Sequence, residues 1–380
     1  MSAPLAQRRA AFLAGLLSLP TLAACGMGLP IEERIANTRP LAIRAEVDDP
    51  AATDEAPVRA EALPFETARM VPFIVDPEGA LTLDEVETEL QPRWLACNLA
   101  PIEGLGTCLA NRAPLDLDDV PACPMVDFGS IDPSTGEFPE FPSPCEITTG
   151  TPSQPELTIP FDIAYLIGGD IEVTMVAHRP DAGNTDDCLE QLLQGGTQAD
   201  ERCLFVAQRL AVGPDAVLLD LAGQFGLEDI DEFGDIPETL PDADTNPRIQ
   251  SFIVREFDED DNEVAVFEPM RGEVITAQAG HRLDIETIAP EDDLQTFPIR
   301  TDDGFTDEEE AYEGLWFTTW GSLLSGSSDD PLSLNSWDLV RGEQDEEGVL
   351  PPGERATMYY VLRDGRQGVD WWWFHVDVTQ

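Results

Sequence analysis

Short segments in which apolar and polar residues alternate recur along this chain, and they constrain its fold more than any other feature. Alternation with a period of two places every second side chain on one face of an extended strand, so each segment predicts a half-buried β-strand. The last two segments flank a short loop and predict a β-hairpin. The predicted strands cover residues 39–47, 70–75, 93–97, 157–165, 171–178, 248–257, 264–267, 282–287, 315–320, 356–363 and 369–378.

Residues 181–226 interrupt this alternation. Apolar residues recur there at helical spacing after acidic starts, which predicts helices at 186–193 and 215–225. Residues 231–247 are acidic and contain several prolines, a composition typical of a linker. The predicted organisation is a first β-rich region at 37–180, a helical segment with an acidic linker at 181–243, and a second β-rich region at 244–380.

The N-terminal segment has the layout of a secretory signal. Arg8 and Arg9 precede an apolar stretch that is shorter than the roughly 20 residues a membrane span needs. The stretch ends in Leu22-Ala-Ala-Cys25, which resembles the lipobox of bacterial lipoproteins. An ordinary signal peptide with an unrelated cysteine nearby is the alternative.

The lipobox resemblance implies a specific processing and cellular location for the protein. Residues 1–24 would form the signal peptide, Cys25 would be acylated after cleavage, and residues 25–36 would form the lipidated tether. Gly26 follows the cysteine instead of Asp, which implies sorting to the outer membrane. The acyl chains would bind the protein to the membrane as its partner, because each buried methylene contributes about 0.8 kcal/mol to anchoring.

Charge excludes several classes of function. The chain carries 75 acidic and 21 basic side chains for a net charge of −54, and every basic residue is Arg. The absence of Lys excludes a P-loop lysine and a Schiff-base lysine, and the acidity argues against nucleic acid as a partner. A hydrophobic fraction of 42% is nevertheless that of a globular protein.

Six cysteines in addition to Cys25 support an exported protein. An even number of cysteines in an exported chain predicts disulfides, although their connectivity does not follow from sequence alone. A zinc cluster would need closer spacing and nearby His. Pairing between sequence neighbours is expected, because each such pair closes a short loop. The expected pairs are Cys97–Cys108, Cys123–Cys145 and Cys188–Cys203.

The two β-rich regions form a weak internal repeat, because each opens with an Asn-x-Arg strand and then carries a strand with a Trp. Many short strands with a core Trp predict β-sandwiches. The motifs are Asn37-Thr-Arg39, Asn246-Pro-Arg248, Trp94-Leu-Ala-Cys97, Trp316, and Pro352-Gly353 before Tyr359 and Tyr360. With these motifs and its lipobox, the chain resembles uncharacterised bacterial envelope lipoproteins with tandem immunoglobulin-like domains. The resemblance implies two immunoglobulin-like β-sandwiches and no catalytic residues.

An aromatic stripe on the last predicted strand is the first candidate site. Alternation places Trp371, Trp373 and His375 on one face and Trp372 and Phe374 on the other, so one of the two sets must be core. An exposed stripe would suit a sugar ring or a partner protein. The alternative is packing between domains or a strand covered on both faces.

Two acidic runs, 258–263 and 302–310, could supply oxygen ligands to calcium. Asp258, Asp260 and Asn262 have the alternating spacing that opens an EF-hand loop, although the later positions of that motif are missing. The alternative is a solvated acidic face, which a chain with so many acids will form by chance. No other cofactor is expected.

No catalytic constellation is visible. The three histidines, His178, His281 and His375, are far apart in sequence, and no Gly-x-Ser-x-Gly elbow occurs. We therefore expect a lipid-anchored cell-envelope protein that acts without catalysis as a structural or protein-binding module, with an unidentified envelope protein as its partner. The alternatives are a carbohydrate or cell-wall binder that uses the aromatic stripe, and an enzyme of unrecognised type.

Overall fold

A computed structural model of the chain describes residues 33–48, 57–99, 109, 113–125, 141–148, 150–160, 165, 169–180, 183–195, 201–213, 240, 242–301, 304–328, 334–339 and 353–379. This part of the chain is mainly β-structure in several sheets, as the alternation predicts. The signal segment with Cys25 and the second predicted helix, 215–225, lie outside the described residues.

The first β-rich region contains two sheets. In one, β2 pairs with β1, β3 and β6, and in the other the strand order is β5-β4-β7-β8. All of these pairings are antiparallel. The strands are β1 (Arg39–Val47), β2 (Thr67–Asp76), β3 (Gly79–Ala80), β4 (Arg93–Leu99), β5 (Cys145–Glu146), β6 (Glu156–Thr158), β7 (Gly169–His178) and β8 (Cys203–Val212).

Helices in this region are short. The helix α1 (Leu83–Glu85) runs into a π-helical turn (Val86–Leu90), and a 3₁₀ turn covers Leu117–Asp119. The helix α2 (Thr185–Leu193) matches the first predicted helix, and the Asn184 side chain caps it by accepting the N–H of Asp187 at 2.9 Å.

The two sheets of the first region share one apolar core. Ile43, Met70 and Val173 reach this core from different strands, because alternation directs every second side chain of each strand to the same side. Trp94 on β4 is fully buried there, and its indole N–H donates to the carbonyl of Pro152 at 2.9 Å. A buried Trp with a satisfied N–H contributes apolar area without leaving a polar group unpaired.

Strand β8 was not among the predicted strands, and it lies in the segment that the sequence assigns to helix and linker. It pairs with β7 over its whole length, from Cys203 opposite His178 to Val212 opposite Gly169. Leu204, Leu210 and Val212 enter the first core, so that core continues beyond residue 180.

Two of the three expected disulfides are confirmed. Cys123 pairs with Cys145, and Cys188 on α2 pairs with Cys203 at the start of β8. Cys97 is also disulfide-bonded. Its expected partner, Cys108, lies outside the described residues. The second bridge fixes the helix to the outer face of the sheet that contains β7 and β8.

The second β-rich region contains two larger sheets with strand orders β10-β9-β12-β18-β16 and β11-β20-β19-β15-β17, and a separate hairpin of β13 and β14. A 3₁₀ turn covers Glu291–Asp293. The strands are β9 (Ser251–Phe257), β10 (Glu263–Phe267), β11 (Val274–Gln278), β12 (Arg282–Ile288), β13 (Thr296–Thr301), β14 (Gly304–Glu309), β15 (Glu313–Thr318), β16 (Ser322–Leu323), β17 (Ser327–Ser328), β18 (Asn335–Asp338), β19 (Arg355–Arg363) and β20 (Val369–Thr379).

The predicted terminal hairpin is confirmed, since β19 and β20 pair antiparallel from Arg355 opposite Asp377 to Arg363 opposite Val369. The core of the second region lies between its two large sheets. Trp316 on β15 is fully buried there, with its ring centroid 4.3 Å from that of Tyr360 on β19.

A third apolar cluster lies between the two regions, and we call it the junction cluster. It joins the outer face of the β1–β2 sheet to the outer face of the β15–β19–β20 sheet. Both of these sheets are therefore covered on both faces, and four sheets are stacked in one series. The fully or nearly buried members are Ile35, Leu41, Ala42, Val71, Phe73, Val75, Leu315, Phe317, Tyr359, Val361, Val369 and Trp371.

Candidate functional site at the junction of the two regions

The aromatic stripe that the sequence singles out lies in the junction cluster. The face assignment is correct, because Phe374 points into the second core whereas Trp371 points toward the first region. Trp371 is only 7% exposed and stacks on Phe73 of β2, with ring centroids 5.0 Å apart and planes 6° from parallel. Trp373 is partly buried, and its ring centroid lies 5.9 Å from that of the same Phe73. In this arrangement Trp371 has no open face for a sugar ring, and its contacts are those of the packing alternative.

Two arginines cover the exposed edge of this aromatic group. The guanidinium of Arg44 on β1 lies 4.5 Å from the ring centre of Trp371, and that of Arg271 lies 4.9 Å from the ring centre of Trp372. Both donate to the buried carboxylate of Asp370, at 3.0 Å and 3.2 Å. Burial lowers the pKa of Arg271, and the nearby Arg44 acts in the same direction while Asp370 opposes it. One carboxylate thus holds cations from both regions against the tryptophans.

A buried amide links the backbones of the two regions. Asn246 donates to the carbonyl of Ala45 at 2.7 Å and to that of Val58 at 3.2 Å, and it accepts the N–H of Val369 at 2.9 Å. Because Asn246 is nearly fully buried, loss of its side chain would take this partner from the Ala45 carbonyl and from the Val369 N–H. The residue therefore connects the backbone of β1 to that of β20 across the junction.

A charged cluster, which we call the Arg366 cluster, forms a second part of the junction. Arg366, on the loop between β19 and β20, forms an ion pair with Glu61 and lies 3.6 Å from a carboxylate oxygen of Glu310. The backbone N–H of Asp244 donates to Glu61 at 2.9 Å, and Asp364 accepts the backbone N–H of Arg366 at 2.9 Å. Four carboxyl groups from both regions therefore surround one guanidinium.

This excess of acid changes the protonation of the cluster. Burial raises the pKa of Asp244 to about 9, with the neighbouring carboxylates adding to the shift and Arg366 opposing it. Both side-chain oxygens of Asp244 are buried and receive no donor from the described protein atoms. Burial also raises the pKa of Glu310, whereas the backbone N–H of Gln295, which donates to it at 2.9 Å, and the nearby Arg366 lower it. With its pKa raised to about 9, Asp244 is neutral at pH 7.

Burial also raises the pKa of Asp364, to about 6. Backbone N–H groups of Arg366 and Gly368 donate to this carboxylate and counteract the shift. The Arg366 cluster therefore binds protons more tightly than the same residues would in an unfolded chain. Docking of the two regions therefore raises the proton affinity of carboxyl groups at their contact.

Two glycines allow the carboxylates to approach the backbone closely. A Cβ at Gly213 would overlap the carboxylate of Glu61, and a Cβ at Gly368 would overlap that of Asp364. Any side chain at either position would displace a member of the cluster.

The three histidines occupy separate structural positions. The imidazole of His375 is 2.9 Å from the Thr357 hydroxyl, and burial lowers its pKa, with Arg355 acting in the same direction. His178 lies 2.9 Å from the carbonyl of Leu90, and His281 lies 2.7 Å from the carboxylate of Glu256.

The predicted calcium ligands lie in a turn between β9 and β10. Asp258 accepts the backbone N–H groups of Asp260 and Asn262, both at 2.9 Å, and these bonds lower the pKa of Asp258. One oxygen of this carboxylate therefore caps its own turn. Within the described part of the chain, no group of three or more His, Cys, Asp or Glu side chains is arranged to hold a metal ion.

The sequence did not single out the Arg366 cluster. Glu310 belongs to the acidic run 302–310, for which the sequence offers calcium ligands or a solvated face, and a solvated face is wrong for this residue because Glu310 is nearly fully buried. Glu61 lies in a segment without a local pattern. Asp244 lies in the acidic stretch 231–247 that the sequence predicts as a linker, and this prediction is wrong for Asp244, which is fully buried in the junction. The predicted hairpin loop with Asp364 and Arg366 is the one signal that could have pointed to this place.

Comparison with protein-family models finds no match, and neither does comparison with curated proteins. Among the described residues, none forms a helix with the length and apolar character that crossing a bilayer requires.

Proposed function

We propose that this protein is a lipid-anchored component of a bacterial cell envelope, sorted to the outer membrane, that acts without catalysis as a structural or protein-binding module. The observation that carries the proposal is the junction cluster. The aromatic stripe that the sequence offers to a ligand is used to join the two β-rich regions. A module built in this way holds the outer surfaces of its two regions in a fixed orientation to each other.

We further propose that each region is an immunoglobulin-like sandwich. In the second region, β11 pairs parallel with the last strand β20 beside β19 and β15, which is consistent with that architecture. The fully buried Trp316 packs on Tyr360 of the neighbouring β19, in the manner of the core Trp of such sandwiches. The second region has no cysteine, so it would lack the disulfide between sheets that antibody domains have.

The anchor is tested at Cys25. Cells that express the tagged chain are fed a radiolabelled or alkyne-bearing fatty acid, beside cells that express Cys25→Ser. We expect label in the wild-type chain and none in the variant, with wild-type chain in the membrane fraction. Equal labelling of both chains, or of neither, would contradict lipidation at this residue.

The partner is tested by carbodiimide cross-linking, for which this composition is well suited. Carbodiimide joins a carboxylate to an amine, and the chain has 75 carboxylate side chains and no Lys. Products therefore report amines of other proteins or the single N-terminal amine of the chain, and mass spectrometry of the joined peptides distinguishes the two. We expect a defined product in intact cells that disappears in Cys25→Ser. Absence of any product in cells with correctly anchored chain would count against a protein-binding role.

A further inference from the structure

One edge of the second region has features that the junction does not use. Strands β10 and β11 are terminal strands of their respective sheets, and a short loop connects them. In the described part of the chain, no strand pairs with the outer side of β10. An edge strand leaves N–H and C=O groups free for another chain to pair with.

The side chains of this edge are unusually apolar for a surface. Val264 and Val266 on β10 are 50% and 52% exposed, and Met270 in the following loop is 69% exposed. Ala265 and Phe267 alternate with these valines and are less exposed, and Phe267 packs on the second core. The outward face of β10 is thus an apolar strip beside free backbone groups.

Acidic side chains surround this strip. Glu259, Asp260, Glu263, Glu268 and Glu273 are all exposed. The cations near this strip are already engaged. Arg255, opposite Val266 on β9, pairs with Glu286 at 2.9 Å. Arg271 pairs with Asp370, and Arg282 pairs with Asp261 and Asp284. The field at this edge is therefore strongly negative.

The negative charge around β10 determines which kind of chain could pair with this edge. A second copy of a chain with a net charge of −54 would bring acids against acids, and charged residues beside an edge strand prevent such self-pairing. A segment with alternating apolar and basic residues would instead place its apolar side chains on Val264 and Val266 and its cations near the acids. Pairing of this kind is strand addition to a sheet edge.

We infer that β10 is a docking site for an extended, lysine- or arginine-rich segment of a partner protein, which adds as a strand to this edge. The inference rests on the proposed protein-binding function and names its surface. The apolar strip provides contact area, and the surrounding acids provide specificity and attraction.

The test uses the full-length chain and a fluorescent ten-residue peptide of alternating Val and Lys, with a peptide of alternating Val and Glu as the control ligand. Binding is measured by fluorescence anisotropy. We expect saturable binding of the basic peptide alone, with affinity falling several-fold between about 50 mM and about 500 mM NaCl. Carbodiimide products should map to acids near β10. Equal binding of both peptides, or cross-links elsewhere, would overturn the inference.

Matched variants separate the apolar contribution to peptide binding from the electrostatic one. Val264→Ser/Val266→Ser should weaken peptide binding about tenfold, and Glu259→Gln/Glu263→Gln/Glu268→Gln should remove most of its salt dependence. Leu324→Ser is the control, because Leu324 is 75% exposed and follows β16 at the opposite end of the same sheet. It should bind the peptide like wild type. An equal loss in the control variant would overturn the assignment to β10.

The same variants distinguish this inference from the proposed function. If the cellular cross-link persists in Val264→Ser/Val266→Ser, the protein-binding function stands and the docking site is wrong. If the cross-link is absent in wild-type cells but the peptide binds β10, the protein-binding function in the envelope fails instead.

Discussion

Phe73 and Trp371 stack face to face at 5.0 Å although 298 residues separate them in the sequence, which places the β2 strand of the first region directly on the β20 strand of the second. Both rings are buried, so neither is available to a ligand unless the two regions separate. The aromatic stripe that the sequence presents as a candidate binding site therefore lies at the centre of an apolar junction.

The stacked pair should contribute measurably to stability. We expect Trp371→Ala and Phe73→Ala each to lower the free energy of unfolding by about 3–5 kcal/mol, because each leaves a cavity in the junction cluster. A double-mutant cycle should give a coupling of about 0.5–1.5 kcal/mol, measured by urea denaturation. Val264→Ala, at an exposed edge, should cost little. Additive losses would contradict direct stacking.

Removing Arg366 should be far more costly than removing a surface arginine. Arg366→Met leaves four carboxyl groups without their shared cation, and we expect a loss of about 3–5 kcal/mol at pH 7. Arg355→Met is the control, since its ion pair with Asp377 at 2.7 Å is largely exposed and should contribute at most about 1 kcal/mol. Similar losses in the two variants would show that the Arg366 cluster is not an energetic unit.

The protonation of Asp244 should make the junction sensitive to pH. A carboxyl with a raised folded-state pKa stabilises the fold fully only below its unfolded pKa, near 3.8, and this stability is lost as the pH rises toward the folded value of about 9. Asp244→Asn mimics the neutral form. The variant should therefore gain stability relative to wild type as the pH rises from about 5 to about 9.

This pH comparison is made by urea denaturation of both chains at several pH values. Asp364 titrates in the lower part of the same range, with its pKa raised to about 6, but it is present in both chains and largely cancels in the difference. A difference between variant and wild type that does not change with pH would contradict a neutral Asp244.

The disulfides test whether the two regions are coupled. Cys188→Ser/Cys203→Ser opens a loop with a sequence separation of 15 and should destabilise the chain by about 2–4 kcal/mol. The second region has no cysteine, so this substitution can lower the melting temperature of that region only through contacts at the junction. The melting of the second region is followed by near-ultraviolet circular dichroism of Trp316 and Trp337. We expect its melting temperature to fall. An unchanged second region would show that the two regions melt independently.

Much of the β-structure could be predicted, because alternation reports directly which face of a strand is buried. It placed β1, the β19–β20 hairpin and the opposite orientations of Trp371 and Phe374 correctly. Strand β8 was not predicted because its alternation is obscured: Gln208 places a polar side chain on the buried face, and Phe205 and Ala207 place apolar ones on the other. The buried amide of Gln208 donates to the carbonyl of Gln367 at 3.1 Å.

The junction could not be predicted in the same way. Glu61, Asp244 and Glu310 are acids among 75, and only the docking of two distant regions brings them to Arg366 and buries them. Which of the two faces of β20 packs on its own core and which on the other region is likewise decided by long-range packing. A local pattern carries no information about such contacts.

Differential scanning calorimetry of the intact chain tests most directly whether the junction joins the two regions into one body. Coupling through the junction cluster predicts one transition whose calorimetric and van't Hoff enthalpies agree, and its separation into two transitions in Phe73→Ala/Trp371→Ala. Two resolved transitions in the wild-type chain, unaffected by the double substitution, would contradict the junction as the element that unites the protein.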